Sequence, residues 1–546
     1  MKRRTLIMLA LLSVLAVRSA QAQPTWHNIK LLDRIAQKDY HPTFSAVTAN
    51  LILGENRPRA YAQLDTLLSR EYGDMFWMYG CAGLYFSCRD VLPISYKAKI
   101  RECWKLFTPY RGDTENHFLM YYGSLLLMSE EWDSLPASEW FMGRSSVEIH
   151  AEARQWLLHW IEETVKQGMS EFDSPRYLYY YITPLILLSE YARDAEVKRK
   201  SEMMLEYLLA NYAVKYQEGS YVGAHSRESN EAALVSTNAE VLSYGEFFFE
   251  DSIKHLLPDF AFAAACNYRV PRVIREIAHD DGGFECREIV RSRRRIRFET
   301  PAVKSVRKYT YVNRHYALGS IESGIVQPIQ QRSWSLTLRS KERFNAIVGL
   351  HPYHSTKELG TFFPEPASFG MEKIEGVKNG YTSEDKWVGA SPYEKIWQRK
   401  NQLRLTYDVP KDYPVKHADL FIPAWGVIVS ADSTVWHELI VRYDSVLVTI
   451  NTSSDYTITD APGGYRLRMD LPKGKGGFWI YVSDSPNDGG IDARMFSGKG
   501  EYDTDDRKWL INSPSLRSAY GSGIVTMKSG ESERVLDFVQ GKTYDK

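Results

Sequence analysis

Apolar positions recur at helical spacing through the first half of the chain. Ala153, Trp156, Leu157, Trp160, Ile161, Thr164 and Val165 follow i, i+3, i+4, i+7 and give one apolar stripe. Val197, Met204, Leu205, Leu208, Leu209, Tyr212 and Ala213 do the same. Similar patterns predict helices near 26–37, 58–70, 74–87, 94–107 and 115–130, so residues 25–265 read as helical. Near 270 the period changes. Pro271 and then Asp280-Asp281-Gly282-Gly283 mark a boundary. Beyond it apolar residues alternate, as in Trp334/Leu336/Leu338, Val446/Val448/Ile450 and Tyr465/Leu467/Met469. Gly463-Gly464, Gly474–Gly477 and Pro486-Asn487-Asp488-Gly489 supply turns. Many short strands at this spacing predict an antiparallel β-sandwich behind a helical domain, an α+β multidomain chain.

The helical half carries a faint internal repeat. Asp113–Glu130 aligns without gaps on Asp173–Glu190, with Asp, Tyr, Leu, Leu, Ser and Glu coinciding at an offset of 60. Thr114 and Ser174 both suit an N-cap, and Pro175 suits the first helical position. Repeated helical hairpins point to a solenoid or a closed ring. Ile182–Leu188 is too apolar for a surface helix and reads as an inner one. Inner helices that aim their N-termini at one rim place Glu115, Asn116 and His117 level with Arg176 and Tyr177.

Composition narrows the class. Lys2-Arg3-Arg4, the apolar run Leu6–Val17 and Ala20-Gln21-Ala22 read as a secretory signal cleaved after Ala22, so the expected location is periplasmic or secreted. No apolar run reaches membrane-spanning length. Basic and acidic residues balance at 68 each, which argues against nucleic acid or an anionic membrane as partner. Five cysteines without a CxxC pair exclude a disulfide scaffold or zinc ribbon and leave room for one bridge, Cys81–Cys88 or Cys266–Cys286. Aromatic residues make up 13% of the chain, which suits stacking of sugar rings and also suits large cores.

No phosphate loop, dinucleotide fingerprint, GxSxG elbow or HExxH occurs. His351 and His354 in HPYH lack a nearby third ligand, so no metal is assigned. The stretch most suggestive of function runs from Glu218 to Glu250, where a Gly-flanked loop presents His225, Ser226 and Arg227 ahead of a helix from about Ser229. The basic run Arg287–Arg297 puts Arg291, Arg293, Arg295 and Arg297 on one strand face, as a guide for an acidic polymer or a solvated edge.

With this order of elements, the segments TENHFLMYYGSLLLM, FDSPRYLYYYITPLILLSEYARD, GSYVGAHSRES and KYTYVNRHYALGS resemble the heparinase II/III-like group of toroid-type polysaccharide lyases. The resemblance implies an incomplete (α/α) toroid over 23–270 and a β-sandwich over 271–546. It also implies β-elimination on a uronic-acid-containing glycan, an acidic polysaccharide or oligosaccharide partner, and residues from both domains lining one cleft. Such chemistry needs a group that neutralises the uronate carboxylate, a base for the C5 proton and an acid for the leaving oxygen. On that likeness Asn116 and Arg227 hold the carboxylate. His225 is the candidate base, with His315 and His351 as alternatives, and Tyr311 or Tyr177 is the acid. His117 is a further catalytic candidate. Glu115, Tyr180, Arg176 and His315 are candidate binding residues. No cofactor is required, and a structural Ca2+ or Zn2+ stays open. The alternatives are a glycoside hydrolase using Glu115, Glu171, Asp173, Glu228 and Glu231, or a non-catalytic glycan-binding protein.

Overall fold

The computed structural model describes residues 26–37, 42–69, 72–112, 114–217, 219–250, 252–257, 259–291, 305–322, 325–326, 330–353, 386–484 and 508–546. The signal segment, Arg293, Arg295, Arg297 and His354 lie outside the described residues.

Helices occupy the N-terminal half: α1 (Trp26–Gln37), α2 (Phe44–Leu53), α3 (Arg57–Leu68), α4 (Met75–Ser87), α5 (Ile94–Leu106), α6 (Glu115–Glu131), α7 (Ser146–Gln167), α8 (Tyr179–Tyr191) and α9 (Ala195–Val214). Four short ones follow: α10 (Asn230–Leu234), α11 (Leu242–Phe249), α12 (Phe260–Ala265) and α13 (Arg272–Ala278). Local chemistry sets their starts. Thr43, Asp74, Thr114 and Asp194 accept backbone N–H groups of the first turns of α2, α4, α6 and α9. Ser145 and Glu148 form a reciprocal capping box on α7.

The helices sort into two kinds. On α2, α4, α6 and α8 nearly every residue is buried. On α3, α5 and α7 only a stripe is buried. Successive inner helices touch, α2 on α4, α4 on α6 and α6 on α8, while α12 packs on α2, α4 and α8. Ile182–Leu188 is wholly buried, as its composition predicts. Helix α2, buried from Phe44 to Leu51, shows no apolar stripe and is not among the helices picked out by periodicity.

The C-terminal half is antiparallel. A six-strand sheet and part of a thirteen-strand sheet enclose one apolar core that includes Leu318, Trp334, Leu336, Leu405, Val448 and Leu467. The alternating segments form strands Trp334–Leu338, Val446–Thr452 and Gly464–Asp470. At the other end of the large sheet, strands from Trp509 onward cover the helices. Leu510, Ile511, Val525, Met527 and Leu536 join the helical core. Arg534 holds Glu206 of α9 through two hydrogen bonds of 2.7 Å each.

All five cysteines are free thiols, which corrects the two bridges considered from sequence. Cys81 lies inside α4 and Cys88 is its C-cap. Seven residues of helix separate them by roughly 10 Å, beyond disulfide reach. Burial pushes the Cys81 and Cys266 thiols above their usual range.

A buried four-charge cluster fastens the two halves. Lys215, the C-cap of α9, donates to Asp173 at 2.9 Å and to Glu288 at 2.8 Å. Lys308, on strand Ser305–Val312, pairs with the same two carboxylates. Asn211 adds a hydrogen bond to Glu288 at 2.7 Å. Burial works against both carboxylates, but the two ammonium groups prevail and hold them ionised below their usual range. Two cations against two anions leave no net buried charge, the condition for such a cluster to persist.

Candidate active site at the helix rim

Two buried carboxylates build the rim where α6 and the turn before α8 meet. Glu115 Oε2 accepts from Ser170 N (3.1 Å), Ser170 Oγ (2.6 Å) and Glu171 N (2.9 Å), while Oε1 accepts from Trp160 Nε1 (3.0 Å). Glu171 returns the arrangement. Its Oε2 accepts from Asn116 N at 3.1 Å and from the Tyr181 hydroxyl at 2.6 Å. Each carboxylate thus ties down the other's segment. The repeat appears here as matching caps. Thr114 Oγ1 accepts from His117 N at 3.2 Å, and Ser174 Oγ accepts from Tyr177 N at 3.0 Å. Helix α8 proper begins four residues later than α6 does in its copy, because 175–178 is a turn.

The loop at 225–229 lies over this frame. Arg227 adopts a left-handed backbone (φ 53°), uncommon for a side chain of its size. Its Nε lies 3.2 Å from Glu171 Oε1, and its guanidinium stacks 4.6 Å above the Tyr177 ring. Arg176 approaches the same ring at 5.6 Å and lies 3.6 Å from Glu240. Phe76 joins the other side, with its ring 5.5 Å from His117 and 5.0 Å from Tyr180, edge to face in both cases. Tyr177 and Tyr180 are 6.3 Å apart. His117, Arg176, Tyr177 and Tyr180 are part-exposed, so solvent reaches this surface. Asn116, one residue before His117, is 0% exposed. Its Oδ1 takes the Thr114 hydroxyl, and its Nδ2 has no hydrogen-bond partner among the described residues. Burial and the nearby Asp259 carboxylate push the Tyr180 phenol up and keep it protonated. Burial in turn pushes Asp259 up to about 6.

The sequence candidates therefore separate. Glu115, Asn116, His117, Arg176, Tyr177, Tyr180 and Arg227 gather on one rim. His225 does not present itself to it. It is 1% exposed, with Nδ1 2.9 Å from Glu228 and Arg332 Nη2 2.8 Å away. Its backbone pairs with Arg332 in both directions. In place of the expected open base, this residue is an internal strut between the loop and the β half. Tyr311 stands on strand Ser305–Val312, 6.1 Å from the Tyr316 ring and against the sandwich core. His315 sits in the following turn, where Arg314 Nε donates to its Nε2 at 2.9 Å. His351 is enclosed, bonded to Ser391 and to the Val415 carbonyl. Among the described residues no group of three or more His, Cys, Asp or Glu could hold a metal ion.

The carboxylates considered for hydrolysis are mostly committed. Glu115, Glu171, Asp173 and Glu228 are buried with fixed partners, and only Glu231 is open, beside Arg343. Phe76 and Arg332 are contributors that the sequence reading missed. Phe76 was hidden in an apolar helix, and Arg332 lies in QPIQQRS, a stretch without a motif.

His225 carries a pH signature. Burial and the Arg332 guanidinium push its imidazole down from 6.5 to about 3, against the pull of Glu228. Between those values the unfolded chain binds a proton that the folded chain refuses. The stability it contributes is full above pH 6.5 and is lost as pH falls toward about 3. His351, lowered to about 4 by burial, acts in the same direction, whereas Glu394, raised to about 7 by burial, acts oppositely. Comparing His225→Gln with the parent isolates the one residue. The parent's urea midpoint is expected to fall more steeply than the variant's from about pH 7 to pH 4. Parallel curves would mean that His225 takes up its proton in the folded state.

The chain matches no family model and no curated protein. Among solved structures it is similar to the chondroitin AC lyase of Streptomyces coelicolor A3 in complex with chondroitin sulphate, at 8% identity, over 93% of this chain and 88% of that one, with a TM-score of 0.37. It is also similar to the chondroitin lyase ODV-E66, a baculovirus envelope protein, at 9% identity, over 94% and 90%, with a TM-score of 0.18. At such TM-scores neither likeness carries an argument about fold or function.

Proposed function

We propose that this protein is an exported carbohydrate-active enzyme that cleaves a uronic-acid-containing polysaccharide or oligosaccharide by β-elimination, on an incomplete (α/α) toroid. The carrying observation is the part-exposed surface of His117, Tyr177, Tyr180 and Arg176, on which Arg227 stacks, with the Asn116 amide buried one residue before His117 and its N–H2 unpartnered among the described residues. An unsatisfied buried donor is costly unless a ligand completes it. In this reading a uronate carboxylate supplies the missing acceptor, and Arg227 is linked to Asn116 through Glu171, which both contact.

In this reading Asn116 and Arg227 draw charge toward the carboxylate as the C5 proton leaves, which lowers the barrier to a carbanion-like state. His117 takes the proton. Tyr177, whose ring is flanked by two guanidinium groups, returns one to the leaving oxygen. His225, being enclosed, orients the loop that carries Arg227. The chemistry calls for no cofactor. Among the described residues no helix is long and apolar enough to cross a membrane.

The test is ultraviolet absorbance of the unsaturated uronate during incubation with a panel of uronate-containing glycans. A rise in absorbance that is lost in Asn116→Ala is the expected result. New reducing ends without absorbance would replace elimination by hydrolysis, and binding without either product would make this a glycan-binding protein.

A further inference from the structure

The six-strand sheet leaves one edge open. Strand Val427–Asp432 is last in its order and pairs on one side only, with Glu438–Tyr443. Its outer row of N–H and C=O groups pairs with no strand among the described residues. Charged side chains usually blunt such an edge. The opposite edge of this sheet carries exposed Lys395 and Arg399, and the two edges of the large sheet carry exposed Asp460, Lys542 and Asp545.

The edge at Val427–Asp432 does the reverse. Val427, Ile428 and Val429 are three successive apolar residues, exposed to 54%, 45% and 55%. The register shifts between Ile428 and Ser430, so Val429 is an extra residue that breaks the in–out alternation. Asp432 Oδ1 accepts from Thr434 N at 3.0 Å and from Val435 N at 2.8 Å, which fixes the next turn. That turn presents Val435 and Trp436, 71% and 77% exposed. The five residues together offer on the order of 500 Å2 per copy, the size of patch that marks an interaction site. Two copies meeting there reach roughly 1,000 Å2, which a specific interface needs. The charges select the orientation. Arg442 pairs with Val427 at one end of the strand, and Glu438 pairs with Asp432 at the other. Neither Arg442 nor Glu438 has an ion-pair partner among the described residues. Antiparallel pairing of two copies about a two-fold axis near Val429 brings the Arg442 end of each to the Asp432–Glu438 end of the other. Parallel pairing would set like charges together.

We propose that Val427–Asp432 is a dimerisation edge, on which a second copy of this chain adds its own Val427–Asp432 strand and continues the sheet. The proposal goes beyond the elimination reading and needs nothing from it, because no rim residue takes part. The experiment is sedimentation velocity of the purified protein over about a hundredfold range of concentration, with hydrogen exchange on the same samples. A monomer–dimer equilibrium is expected, with the Val427–Asp432 amides exchanging more slowly as dimer forms. Val429→Lys puts a charge at the seam and is expected to weaken the dimer at least about tenfold. The side chain is already exposed, so the far-ultraviolet circular dichroism is expected to stay the same. Arg442→Glu is expected to weaken the dimer about threefold, and adding Glu438→Arg to restore it, since the swap keeps opposite charges across the axis. A monomer at every concentration, a dimer that Val429→Lys leaves unchanged, or growth beyond the dimer would each overturn the proposal. A monomer whose strand is protected only when a glycan is added would overturn it in favour of a substrate surface.

Discussion

Replacing Lys308 with methionine is expected to lower the unfolding free energy by about 3–5 kcal/mol, the cost of leaving a buried charge without its partner. Lys308 has a fully buried side chain and is shared between Asp173 and Glu288. Without it, Lys215 alone faces two buried carboxylates and the cluster carries a net negative charge. Burial works against the Lys308 ammonium, but the two carboxylates prevail and hold its affinity for the proton above the usual lysine range, so it stays charged in the folded protein. Urea unfolding of the single variant and of Lys308→Met with Glu288→Gln separates charge from packing. The double variant restores neutrality and is expected to recover part of the loss, giving a favourable coupling. A loss under about 1 kcal/mol in the single variant would mean that water reaches the cluster and that it does not fasten the two halves.

The second large effect concerns the rim. His117→Ala is expected to reduce turnover on a uronate glycan by about 10²–10⁴-fold, the usual contribution of a positioned acid or base. Its ring contributes an edge contact with Phe76 and lies part-exposed over Gly112, so the thermal midpoint is expected to move little. The decisive comparison is with His225→Ala. If His117→Ala keeps near-normal turnover while His225→Ala loses it at an unchanged midpoint, the proton acceptor is the enclosed histidine and the loop must open during catalysis. Tyr177→Phe supplies a second reading of the same surface, because it removes the hydroxyl and leaves the ring under Arg227 and Arg176.

The two predictions rest on different kinds of information. Helix α7 and the strand at Val446–Thr452 were legible because a half-buried element stamps its period on the chain. The cap at Thr114, its counterpart at Ser174 and the inner character of Ile182–Leu188 were legible for a similar local reason. The repeat then brought Asn116, His117, Arg176 and Tyr177 to one level, and the structure places them on one rim.

Tertiary packing decided the rest. Nothing local distinguishes an open histidine from an enclosed one, and His225 is enclosed because Arg332, more than a hundred residues away, pairs with its backbone and side chain. Asp173 and Glu228 look like free carboxylates in sequence and are spent on partners that include distant segments, Lys215 and Lys308 for Asp173 and Arg332 for Glu228. The sequence by itself determined periodicity, caps and the change from helix to strand, since these depend on neighbours within a few residues. Which charged and polar groups face a ligand was set only when distant segments met, because burial and pairing are properties of the assembled interior.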